Sequence, residues 1–141
     1  LRCPARRAAV HVFRPVRLDT SGAVSARLHI VHNYDWELKY DGDLIPHIYS
    51  ESCTLESGAE EFVELIELLS GVSLRRALRD TVPDYGPFEV DVRLYDAGGE
   101  RVCEADMRWG CIRMDGVRYA VGSGSAKEVD ALIDAVRELV E

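Results

Sequence analysis

The residues of this chain equipped for chemistry are four histidines, four cysteines and a run of acids, and their spacing decides which can act together. His29 and His32 look like a metal-ligand pair, with Asp35 and His47 close enough in sequence to complete a set. On a strand, however, an interval of three sends two side chains to opposite faces, so one ion would hold both only across a bend. Cys53 with His47 has the composition of a nucleophile and its base. A reactive thiol needs a lowered pKa, and the acids around Cys53 raise it instead. Gly122-Ser123-Gly124-Ser125 leads from a strand into a helix, where free N–H groups favour an anion. It lacks both the P-loop pattern and the full G-x-G-x-x-G, and a serine-capped connection accounts for it. No residue is assigned a catalytic role or a metal, and no cofactor is implied.

Cys3, Cys53, Cys103 and Cys111 form no C-x-x-C pair and fit no zinc module. They read as free thiols in a reducing compartment, with Cys103 and Cys111 the one pair a sheet can bring together. The net charge of −8 disfavours nucleic acid and anionic membrane surfaces. No apolar run approaches the ~20 residues of a spanning helix. The expectation is a cytoplasmic protein.

The charge is unevenly spread. Residues 1–30 carry six arginines against Asp19 alone, whereas residues 35–67 carry ten acids and only Lys39. Within that acidic stretch, Asp35, Glu37, Asp41 and Asp43 precede a helix on which Glu60, Glu64 and Glu67 fall along one side. Tyr34 and Tyr49 lie nearby as apolar anchors of the kind found at protein interfaces. These nine residues form the candidate partner-binding surface, matched to a basic protein partner such as a toxin.

The elements that would position them follow from periodicity. Residues 1–8 are a basic, flexible segment, and 9–141 form one domain. Val10, Val12, Val16 and Leu18 alternate as a first strand, kept at an edge by Pro15. Val24, Ala26, Leu28 and Ile30 make a second, and Trp36, Leu38 and Tyr40 a third. A short segment around Ile45–Tyr49, weakened by Pro46, follows the Asp41-Gly42-Asp43 turn. Trp36 and Trp109 fall on apolar sides and are expected in the core.

Ser57-Gly58-Ala59-Glu60 has the capping-box form, and Phe62, Leu65, Ile66 and Leu69 give the helical stripe, with Gly71 as a left-handed stop. Ser73 to Asp80 adds a short second helix. Phe88, Val90, Val92 and Leu94 then alternate strictly, and Cys103, Ala105 and Met107 resume after a glycine turn. Pairing Asp96 with Arg101 sets Arg93 opposite Glu104, Glu89 opposite Arg108, and Asp91 opposite Asp106, the last a like-charge clash. Asp115-Gly116 turns the chain into Val117, Tyr119 and Val121. A second capping box at Ser125 opens a helix with Val129, Leu132, Ile133 and Val136 on its apolar stripe. Each half of the chain thus runs from a tryptophan through Asp-Gly to a capped helix, a weak hint of duplication.

The fold class expected is α+β: one twisted, mainly antiparallel sheet of six or seven strands with two main helices on one face. That layout is similar to small bacterial immunity proteins, in architecture and without a shared motif. The leading functional reading is a non-enzymatic protein-binding module, an inhibitor or immunity-type protein. A small-molecule or metal-binding enzyme using the region of His29, His32, Asp35 and His47 is the second reading. A homo-oligomeric structural domain, such as a homodimer joined through an edge strand or the open sheet face, is the third.

Overall fold

The computed structural model describes residues 16–38, 44–77, 88–108, 110–122 and 126–141; for 33–38, 44–49 and 126 it describes the backbone. Among these residues the chain runs β1 (Val16–Arg17), β2 (Ser25–Leu38), β3 (Leu44–Glu56), α1 (Glu60–Ser70), β4 (Ser73–Arg76), β5 (Phe88–Tyr95), β6 (Arg101–Arg108), β7 (Cys111–Met114), β8 (Val117–Val121) and α2 (Ala126–Val140). The strands make one antiparallel sheet in the order β1-β4-β8-β7-β6-β5-β2-β3.

Alternation decides the two faces of that sheet. Ala26, Leu28 and Ile30 of β2, Val90, Val92 and Leu94 of β5, and Ala105 and Met107 of β6 are all buried on one side. Phe62, Leu65 and Leu69 of α1 and Val129, Leu132, Ile133 and Val136 of α2 join them in a single core. Each such side chain contributes about 1.5–3 kcal/mol by leaving water. The intervening residues, among them Arg27, His29, Asp91, Arg93, Glu104, Asp106 and Arg113, fall on the opposite face, away from α1 and α2.

The α+β class and the helix-covered face agree with the sequence reading, and the strand count is eight. The additional strand is β4, where a helix was expected over 73–80. Leu74 there is fully buried, and β4 is sandwiched between β1 and β8, so tertiary pairing overrides local helical preference. Residues 78–80 of that segment lie outside the described residues.

The second and third expected strands are one. β2 runs through 14 residues, with a register shift between Asn33 and Trp36 that marks a bulge. The weak segment at 45–49 likewise extends to 13 residues as β3. β3 lies at the sheet edge, where Pro46 is tolerated because a proline there disrupts no second ladder. β1 occupies the other edge, as Pro15 implied for the first strand, although 9–15 are outside the described residues.

Three local expectations are corrected. The residue capping α1 is Ala59, with no side-chain cap, so Ser57 and Glu60 do not form the capping box. The turn from Glu56 to Ala59 closes instead through the Ala59 N–H on the Glu56 carbonyl, 2.9 Å. Gly71 ends the helix in a right-handed conformation, with φ −79°, while its N–H reaches the Glu67 carbonyl. Asp96 does not face Arg101: a bulge at Leu94/Tyr95 pairs Tyr95 with Arg101, and the Asp96 carboxylate accepts the Gly98 and Glu100 N–H groups.

Other expectations hold. Arg93 faces Glu104 and Asp91 faces Asp106. Asp115, φ 50°, and Gly116, φ 77°, make the two-residue turn joining β7 to β8, the left-handed pair that matches hairpin twist. All four stripe residues of α2 are buried. The Asp41-Gly42-Asp43 turn, Trp109 and the Ser125 cap lie outside the described residues, as does the side chain of Trp36.

Candidate functional site

The candidate surface residues fall in two places. Glu60, Glu64 and Glu67 are exposed on α1, together with Glu61, on the side away from Phe62, Leu65 and Leu69. The helix has no basic residue in its last turn, and among the described residues none of these four carboxylates has a side-chain ion pair or hydrogen bond. Like charges at i, i+3 and i, i+4, such as Glu60 with Glu64 and Glu64 with Glu67, repel one another on a helix.

The other group sits on an arm. Among the described residues β2 pairs with β5 from Ser25 to His32 and with β3 from Ser25 to Leu38. The arm is the stretch of β2 and β3 beyond His32 and Tyr49, a paired ribbon of roughly 20 Å at about 3.3 Å per residue. Its backbone carries Tyr34, Asp35 and Glu37 on β2 and ends at its base with Tyr49 opposite His32. Asp41 and Asp43 belong to the turn outside the described residues. The arm and the start of α1 thus lie at opposite ends of β3.

The histidines separate as their spacing predicted. His29 is on the open face, where its Nδ1 lies 2.9 Å from the Ser52 hydroxyl. His32 is on the covered face and only 5% exposed. His47 lies on β3, outside the described side chains. The metal-ligand set His29, His32, Asp35 and His47 is therefore not brought together around His29 and His32.

What gathers around His32 is a different set. Its Nε2 is 3.0 Å from Glu51 Oε1 and 3.9 Å from Glu141 Oε1. Phe88 packs edge-on to the imidazole at 5.0 Å between centroids, and the Arg137 guanidinium lies over the Phe88 ring, 3.1 Å from its centroid. Arg137 also binds Glu141 Oε2 at 3.1 Å. Glu51 reaches this corner because it stands opposite Ile30 and so faces the helices. Neither Glu51 nor Glu141 is visible as a site residue from spacing, since 19 and 109 positions separate them from His32. Only the i, i+4 interval from Arg137 to Glu141 leaves a trace in the sequence.

The open face offers a second arrangement. Ser52, His29 and Asp91 stand side by side on β3, β2 and β5, in a hollow of about 310 Å³ that Arg27 and Arg93 also line. No hydrogen bond joins His29 to Asp91, and Asp91 Oδ1 is buried without a hydrogen-bond partner. The row is therefore not wired as a nucleophile, base and orienting acid. Burial, then the neighbouring Glu104, holds the Asp91 carboxyl above its ordinary range, and burial does the same for Asp106.

Cys53, Cys103 and Cys111 are free thiols, and Cys3 is outside the described residues. Cys111 stands opposite Arg108, and Cys103 opposite Leu94, so the two do not meet. Burial raises the pKa of all three, and Glu51 adds to the effect at Cys53, which opposes a nucleophilic role. Tyr95 is half-buried on the open face with Arg27 over its ring, 5.8 Å from the centroid. Gly122 has φ 57°, and Ser123 to Ser125 lie outside the described residues. No described helix is long and apolar enough to cross a membrane. Comparison with protein-family models, with curated proteins and with solved structures yields no significant match.

Proposed function

We propose that this protein is a non-enzymatic binding module, of inhibitor or immunity type, that captures a basic protein partner through its acidic surface. The observation that carries this reading is the state of Glu60, Glu61, Glu64 and Glu67. All four are exposed, and among the described residues none is paired with a cation. A row of uncompensated carboxylates on a rigid, core-anchored helix speeds encounter with a basic surface and sets its orientation. The arm, with Tyr34, Asp35 and Glu37 on its backbone, is the second contact region in this proposal, and Asp41, Asp43 and Tyr49 belong with it. A cytoplasmic location belongs to the same reading, because three free thiols suit a reducing compartment.

The test is capture from native lysate by the wild-type chain and by a variant with Glu60→Lys, Glu64→Lys and Glu67→Lys. The wild type should retain a basic protein, with retention weakening as salt rises, and the triple reversal should abolish retention while leaving the circular dichroism spectrum unchanged. Equal capture by the two proteins would overturn the proposal.

A further inference from the structure

We propose that His32, Glu51 and Glu141 form a binding site for one divalent cation of the zinc class, at the corner where the end of α2 meets β2 and β3. His32 is the one buried polar or charged residue recorded among the described residues, and it sits where apolar side chains otherwise fill the covered face. Its imidazole meets carboxylates from two other elements, Glu51 on β3 and Glu141 just beyond α2, and the three donor atoms lie within 4.8 Å of one another.

The donor set and its spacing suit this ion. Zinc takes imidazole nitrogen and carboxylate oxygen at about 2.0–2.2 Å, and tetrahedral angles then place donors about 3.4 Å apart. The separations from His32 Nε2, 3.0 Å to Glu51 and 3.9 Å to Glu141, bracket that value. The two carboxylates are 48% and 39% exposed, so they can close by small rotations and leave the fourth position to water. An imidazole ligand favours zinc and its transition-metal neighbours over magnesium or calcium, which prefer all-oxygen shells.

The surroundings support a cation. Arg137 holds Glu141 Oε2 and thereby leaves Oε1 turned to His32, the outer-shell orientation common around metal carboxylates. The C-terminal end of α2 adds the negative pole of its helix dipole. A bound ion would tie the end of α2 to the base of the arm, joining elements that otherwise meet through side-chain packing.

Titration calorimetry of tag-free protein with zinc chloride at neutral pH tests this directly, with cobalt(II) absorption as a second readout of geometry. One zinc per chain should bind, and the thermal midpoint should rise with zinc concentration. Glu51→Gln and Glu141→Gln, both at exposed positions, should each weaken binding at least 10-fold, while Glu64→Gln leaves it unchanged. The midpoint of each metal-free variant shows whether the fold is retained. No binding at millimolar zinc, or binding that survives both site variants undiminished, would overturn the proposal.

Discussion

On the open face of the sheet, Asp91 lies 3.1 Å from Arg93, Glu104 3.7 Å from the same arginine, and Asp106 3.0 Å from Arg108. On α1, by contrast, four exposed glutamates have no cation partner among the described residues. The difference lies in how each element chooses neighbours. In a strand the same-face neighbour is two residues away, where Asp91 and Asp106 find Arg93 and Arg108, and register adds a cross-strand neighbour, as Glu104 for Arg93. On a helix the neighbours are three and four residues away, and here these are other glutamates. The sheet's carboxylates are part of the structure, whereas those of α1 tax it slightly.

The comparison assumes that α1 is fixed against the core, and its strongest test removes that anchor. Leu65 is fully buried under the acidic side. Leu65→Ala should lose about 2–5 kcal/mol in denaturant unfolding. A loss below about 1 kcal/mol would mean that the helix is not docked, and the acid row would then have no fixed orientation.

A smaller effect tests the exception on the sheet, its facing pair of like charges. Asp91 faces Asp106, and burial followed by Glu104 raises its pKa despite Arg93. A carboxyl whose folded-state pKa lies above its unfolded value makes its full contribution to stability below the unfolded value and loses it as pH rises through the folded one. Asp91→Asn should therefore stabilise the protein at neutral pH, by roughly 0.5 kcal/mol if relief of the facing like charge dominates. The gain should vanish in acid below the ordinary carboxyl range. Thermal midpoints measured across pH decide it, and a constant difference at every pH would show that the Asp91 charge is not the cause.

The smallest effect sharpens the contrast from the helix side. Glu64→Gln relieves repulsion with Glu60, Glu61 and Glu67, and should raise stability by about 0.2–0.5 kcal/mol at low salt. Added salt should shrink that gain. A loss of stability on the same substitution would reveal an internal partner for Glu64 and remove the distinction between the two sets of acids.

Much of the covered face was legible beforehand because period-2 and period-3.6 patterns report directly on burial. Leu28, Val92 and Met107 fall where alternation put them, and Val129, Leu132, Ile133 and Val136 all face inward. The Asp115-Gly116 turn was equally readable, since few residue pairs accept two left-handed positions. β4 was not: Ser73–Arg76 is strand because two other strands flank it, and nothing within four residues says so. The join of Val24–Ile30 to Trp36–Leu38 was hidden for a related reason. A bulge resets the alternation, and a reset alternation reads as the start of another strand.

The candidate sites divide along the same line. A single helix holds Glu60, Glu64 and Glu67, so their common side follows from local spacing, and the sequence alone determined it. The opposite-face placement of His29 and His32 was likewise set by parity. The cluster of His32, Glu51 and Glu141 was decided by tertiary structure only. It requires β3 to pair with β2 in one register and α2 to end at that corner, and long-range pairing of this kind is a property of the assembled sheet, which no short window of residues contains.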